Sequence, residues 1–141
     1  MYCLDANIWV YYFDRRLPEH EAVASDVEPI LEDQPLFTTT VLQMEVVHYL
    51  HTQLANSAGA NDGFLNLEYV TVAELTTDDV RNAVALLETY PDLGLGGRDC
   101  TVVAAMDRHD VTELWTHDEA LKRLGDELDR LRVVDPVEAE L

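Results

Sequence analysis

The chain has almost no lysine. Lys122 stands alone, and with eight arginines it faces 28 aspartates and glutamates, giving a formal net charge of −19 over 141 residues. The basic footprint on which nucleic-acid binding ordinarily rests is missing. Contact with a polyanion would have to run through metal ions and single arginines, for which Arg15, Arg16, Arg98 and Arg108 are the candidates. The acids are spread along the whole chain rather than gathered in a tail. That pattern suits a halophilic surface, kept soluble where screening over about 3 Å at 1 M salt removes self-repulsion.

Cysteine is equally scarce. Cys3 and Cys100 each sit singly among apolar residues without a CxxC partner, which argues against a disulfide framework or a zinc site and for two buried thiols. No apolar run approaches the roughly 18 residues of a membrane span, and Met1 to Asp5 carry no basic leader, so the expectation is a soluble cytoplasmic protein. Repeats, low-complexity tracts and linkers are absent, and the length fits one domain over 1–141 with a core of its own.

What the chain does contain is an alternation of short apolar strands and amphipathic helices. It predicts an α/β fold with a mostly parallel central sheet flanked by helices on both faces. Strands are expected at 2–4, 36–38, 67–72, 111–116 and 131–134. A helix is expected over 7–13, and another from Pro18 toward Leu31, bent or broken before Pro29. Thr40 and Gln43 match a capping box opening a helix to about residue 54. Residues 57–63 read as loop. Thr77 caps a helix ending near Tyr90, Asp99 caps one over 100–106, and a last helix covers 119–124. The glycines Gly94, Gly96 and Gly97 do not form a P-loop, because no Gly-Lys-Ser/Thr follows.

In open α/β sheets ligands bind beyond the carboxyl ends of the strands, and Asp5 and Asp118 both fall at such ends. Glu45 lies in a helix, 41–50, that is apolar on nearly every side, where an uncompensated carboxylate would cost several kcal/mol. Asp99 follows the glycine-rich turn. Acids converging on one cleft repel one another unless a cation compensates, and an all-oxygen set prefers Mg²⁺ or Mn²⁺ to zinc. Such a centre suits phosphoryl chemistry. His48 and His51 share a helix face with Glu45, but a single Glu-x-x-His does not make a di-iron site, and they read as surface or partner-facing residues.

The order and spacing of these pieces resemble the PIN-domain family, in particular the VapC-type toxins of toxin–antitoxin pairs. The resemblance rests on Leu4-Asp5-Ala6-Asn7, on Glu45 in an apolar helix after a Thr-rich start, on Asp99-Cys100-Thr101-Val102-Val103-Ala104-Ala105, and on Trp115-Thr116-His117-Asp118. It implies a PIN-like three-layer sandwich and a Mg²⁺- or Mn²⁺-dependent endoribonuclease leaving a 5′-phosphate and a 3′-hydroxyl. Asp5, Asp99 and Asp118 would hold metal directly or through water, and Glu45 would complete the acidic ring. Asn7 and Thr116 would position water or a neighbouring carboxylate. It further implies an RNA substrate, a homodimer and a small antitoxin whose tail enters the acidic groove. Tyr11, Tyr12 and Phe13 offer apolar surface for such a dimer.

Two other readings compete. A haloacid-dehalogenase-like phosphatase would use Asp5 as nucleophile, but wants a second Asp where Asn7 stands and a lysine better placed than Lys122. A PIN-like binding module without catalysis would be expected to have lost some of the four acids.

Overall fold

The structure, a computed structural model, describes residues 1–138. Five strands, β1 (Tyr2–Leu4), β2 (Leu36–Thr39), β3 (Val70–Ala73), β4 (Glu113–Trp115) and β5 (Arg132–Val134), form one sheet in the order β3-β2-β1-β4-β5. Every neighbouring pair is parallel, with Tyr2 opposite Leu36 on one side and Glu113 on the other. Among the described residues seven helices cover it: α1 (Ala6–Phe13), α2 (His20–Asp33), α3 (Thr40–Gln53), α4 (Ser57–Leu65), α5 (Thr77–Thr89), α6 (Gly97–Arg108) and α7 (Glu119–Glu127).

Because strand side chains alternate, consecutive residues feed different cores. Cys3, Phe37 and Leu114 join Val102, Val103 and Met106 of α6 and Leu121 and Leu124 of α7 on one face. Leu4 and Leu36 join Ile8 and Trp9 of α1, Val23, Val27 and Ile30 of α2, and Val46 and Leu50 of α3 on the other. The Val23, Val27, Ile30 spacing is the single apolar stripe of a helix lying on a sheet. Both cysteines are free and buried. At Gly125 the approach of α7 to β5 is so close that a Cβ would stand 2.6 Å from Val133 Cγ2.

Several elements differ from expectation. Residues 57–63 are not loop: α4 forms there, anchored by Phe64, which is 4 % exposed against Trp9 and Phe13. Burial of one large aromatic outweighs the helix cost of Gly59 and Gly63, about 1 kcal/mol each. Helix α2 begins after Pro18, in a turn, and continues through Pro29 without a break. The strand expected from 67 starts only at Val70, because Tyr69 adopts a left-handed φ of 58° that ends extended pairing. Three caps are displaced. Thr39, not Thr40, caps α3 and accepts from Leu42 N at 3.1 Å, while the Thr40 hydroxyl accepts from Leu75 N. The capping box of α5 is made by Thr76 and Asp79 rather than by Thr77. Gly96, not Asp99, is the cap of α6.

Candidate active site

The chain crosses from one flank of the sheet to the other between β3 and β4, so β1 and β4 are adjacent strands whose following loops lead in opposite directions. A crevice opens at the carboxyl ends of such a pair. Asp5 follows β1 and Asp118 lies just past β4, which places two of the four acids at its two lips. The backbone N–H of Asp5 donates to Trp115 O at 2.9 Å and ties the lips together.

The cleft, of about 380 Å³, is lined by all four acids, Asp5, Glu45, Asp99 and Asp118, with Asn7, Gly96, Gly97 and Arg98. Each acid comes from a different element. Asp5 caps α1, accepting from Ala6 N at 2.8 Å, and Asp118 caps α7, accepting from Leu121 N at 3.0 Å. Capping and cleft lining are thus not alternatives for these two side chains. Asp99 occupies the third helical position of α6, where its side chain makes no cap hydrogen bond. Glu45 projects from the middle of α3, between the buried Leu42 and Val46, and its side chain is 26 % exposed.

Thr116, fully buried, organises the floor. Its hydroxyl accepts from Asp118 N at 3.0 Å and from Asn7 Nδ2 at 3.5 Å, so its one proton is committed to Asp5 Oδ2, 2.6 Å away. Asn7 Oδ1 in turn accepts from His117 N at 3.4 Å. One hydroxyl therefore links the end of β1, the start of α1 and the cap of α7.

The electrostatics follow from this crowding. Burial raises the Asp5 carboxyl above its ordinary range, against the hydrogen bonds from Thr116 and Ala6, and Asp118 raises it further. Burial also raises Glu45; Arg98 opposes the rise and Asp5 adds to it. Asp99 is pushed up to about 7, by burial first and then by the charges of Asp5, Asp118 and Glu45. The centre carries more negative charge than its protein surroundings compensate. Among the described residues Arg98 is the one cation lining the cleft, with its Nε 3.7 Å from Glu45 Oε1.

The other arginines lie elsewhere. Arg16 clasps the buried Asp14 through Nε at 2.9 Å and Nη2 at 2.8 Å, and Arg108 clasps the buried Asp79 at 3.0 and 2.9 Å. Both guanidiniums are engaged in ion pairs that hold the fold, and neither lines the cleft. Arg15 is exposed and does not line the cleft. His48 and His51 are exposed, as the sequence predicts. Tyr11, Tyr12 and Phe13 are half-buried instead of forming an open patch: Phe13 stacks on Trp9, Tyr12 donates to Glu28, and Tyr11 meets His117 edge-on. Gly96 and Gly97 enter the lining unforeseen; the signal was their place just before Asp99, where the lack of side chains keeps the cleft open. A second group, His117, Asp135 and Glu138, brings ligand atoms within 4.8 Å of one another, but Lys122 Nζ sits 2.8 Å from both carboxylates and supplies the positive charge there.

The PIN-domain sequence profile matches residues 2–127, nearly the whole chain. The chain belongs to the PIN-domain family. No curated protein matches its sequence. Solved structures share the fold at low identity. VapC20 of Mycobacterium tuberculosis, described as a sarcin-ricin loop cleaving toxin, superposes with a TM-score of 0.76 at 15 % identity over 89 % of this chain and 95 % of that one. A chain of FitAB bound to an IR36 DNA fragment gives 0.75 at 17 % identity over 100 % and 99 %. VapBC2 of Rickettsia felis, bound to promoter DNA, gives 0.68 at 14 % over 95 % and 97 %. The all-parallel sheet between helical layers is thus a PIN fold, and the family assignment displaces the phosphatase reading. The Asp5 carboxylate of this PIN domain is also held on both oxygens, by Ala6 N and Thr116 Oγ.

Proposed function

We propose that this PIN domain is a divalent-metal-dependent endoribonuclease, the toxin of a toxin–antitoxin pair. The observation that carries the reading is the convergence of four carboxylates from four elements on one cleft where, among the described residues, Arg98 is the sole cation. The donor set fits Mg²⁺ or Mn²⁺: it is all hard oxygen, and Asp99, raised first by burial, is raised further by the three neighbouring carboxylates whose repulsion a cation would relieve. Asp5, Asp99 and Asp118 would hold the ion directly or through water, with Glu45 completing the ring. When bound, the ion supplies Lewis-acid activation of water and stabilisation of phosphoryl charge. The protein's own part is orientation. Thr116 fixes the Asp5 carboxylate in one rotamer, Asn7 lines the cleft beside the Thr116 hydroxyl, and Arg98 meets a phosphate at the cleft mouth.

An RNA substrate and an antitoxin belong to the same proposal, supported by structural neighbours described as a sarcin-ricin loop cleaving toxin and a toxin–antitoxin complex, and we extend it to a homodimer. Exposed apolar side chains beside the cleft, Met44 and Leu75, with Val80 and Val84 one turn apart on α5, are the surface a second copy would cover. Among the described residues no helix is long and apolar enough to cross a membrane. The test is cleavage of total cellular RNA in concentrated KCl with Mn²⁺, Mg²⁺ or EDTA, comparing the native chain with Asp5→Asn and Asp99→Asn. Discrete metal-dependent fragments that vanish in both variants support the nuclease. RNA left intact by folded, metal-loaded protein at every salt concentration favours a PIN-like binding module instead.

A further inference from the structure

The turn from β4 into α7 is held on two sides. On one, Thr116 bonds Asp5 and Asp118 lines the cleft. His117, between them, does not line it, as expected where successive residues of extended chain project to opposite sides. Its ring meets Tyr11 edge-on, and its Nδ1 donates to Asp135 Oδ2 at 2.9 Å. A carboxylate can only accept, so this bond fixes the proton on that nitrogen.

Asp135, just past β5, has a side chain only 8 % exposed. It carries three donors: Lys122 Nζ shares Oδ2 with His117 at 2.8 Å, and Val137 N donates to Oδ1 at 3.0 Å. Lys122 Nζ also reaches Glu138 at 2.8 Å and Glu119 at 3.1 Å. A lysine retained to balance surface charge would stand in solvent, whereas the chain's one lysine is 23 % exposed among three carboxylates. These contacts close a ring. His117 and Asp118 are consecutive, Lys122 N donates to Asp118 O at 3.0 Å in the first turn of α7, and Lys122 and His117 meet on one oxygen of Asp135.

We propose that this ring is an outer brace of the acid centre, with Asp135 and Lys122 as positioning residues for Asp118. Together they fix the backbone on both sides of Asp118, at His117 and at the start of α7, and so fix where its carboxylate points. The inference rests on the cleft being a metal centre. Groups that orient metal ligands without touching the ion typically change its affinity about 10–100-fold when removed.

The test is Mn²⁺ binding by the full chain in about 1 M KCl, read from the electron paramagnetic resonance signal of the free ion, with circular dichroism checking the fold of each variant. Asp135→Ala and Lys122→Met should each weaken binding about tenfold, and the double variant no further than either single one. Lys122→Arg, which keeps the cation, should restore native binding. Asp14→Asn, which removes a buried ion pair outside the cleft, should lower stability and leave Mn²⁺ affinity alone. The Asp135 and Lys122 substitutions change the net charge in opposite senses, so a purely electrostatic influence would weaken binding in one and tighten it in the other. Opposite changes overturn the brace, as does native affinity in both variants, and either result leaves the metal centre standing. A native chain that takes up no Mn²⁺, or whose uptake is matched by Asp99→Asn, overturns the metal centre and the brace with it.

Discussion

Replacing Thr116 by valine isolates a single hydroxyl. The shapes match, so packing at this fully buried position is preserved, and what disappears is a set of hydrogen bonds. The 2.6 Å bond to Asp5 Oδ2 is charge-assisted and contributes about 1.5–3 kcal/mol. The Asp118 N–H, which donates to the same hydroxyl, loses its partner at a half-buried site, and roughly 1 kcal/mol more goes with it. The bond from Asn7 at 3.5 Å is too long to add much. The sum is about 2–4 kcal/mol, which for a chain of this length lowers Tm by roughly 6–12 °C. Urea unfolding in EDTA measures it. Serine at 116 restores the hydroxyl and should recover all but about 1 kcal/mol, the value of one buried methyl. The deficit should also shrink in acid. Without the Thr116 bond the folded Asp5 pKa rises further, so the penalty is complete above that pKa and fades as protonation removes the charge. A valine variant that unfolds at the native midpoint, or a serine variant that loses as much as valine, refutes the hydroxyl's organising role.

Metal-free protein should lose stability as pH rises from about 4 to about 7. In that window the folded state keeps a proton on Asp99 that the unfolded state has released, and Tm scans in EDTA against Mg²⁺ or Mn²⁺ should show the ion flattening the slope. Asp14 has the opposite sign. Hydrogen bonds from Arg16 and Tyr49 hold its carboxyl well below the usual range, so its contribution is present above about pH 4 and lost as pH falls through the folded value; Asp14→Asn should lower Tm at pH 7, with the gap closing in acid. Gly125→Ala should cost about 1–3 kcal/mol, read by denaturant midpoint, because the methyl drives into Val133; an unchanged midpoint would mean α7 moves off β5 freely.

Much of this architecture is legible in sequence because local and global preferences agree. Strand β1 at residues 2–4 and the acids at the strand ends follow from apolar runs cut off by an aspartate. The gathering of Asp5, Glu45, Asp99 and Asp118 in one cleft could be anticipated only because order along the chain maps onto position in a parallel sheet. What escaped depends on partners distant in sequence. Arg16 and Arg108 look like free cations until the burial of Asp14 and Asp79 is known. Helix α4 looks like a glycine-rich loop until Phe64 finds Trp9. Asp99 looks like a cap because aspartate caps well, yet Gly96 takes that place and leaves the carboxylate unspent.

The central position of β1 bears on how the molecule comes into being. This strand is the earliest of the five in the chain, yet one of its two neighbours in the sheet is β4, and the hydroxyl that fixes Asp5 lies 111 residues downstream. On the ribosome, where chain emerges at roughly 5–20 residues per second, the first strand waits seconds for its inner partner. Loop closure over such a span is slow to be repaid by contacts. A nascent chain that has not yet reached β4 therefore carries Asp5 without Thr116 or Asp118, and the acidic centre is assembled only once those residues have emerged.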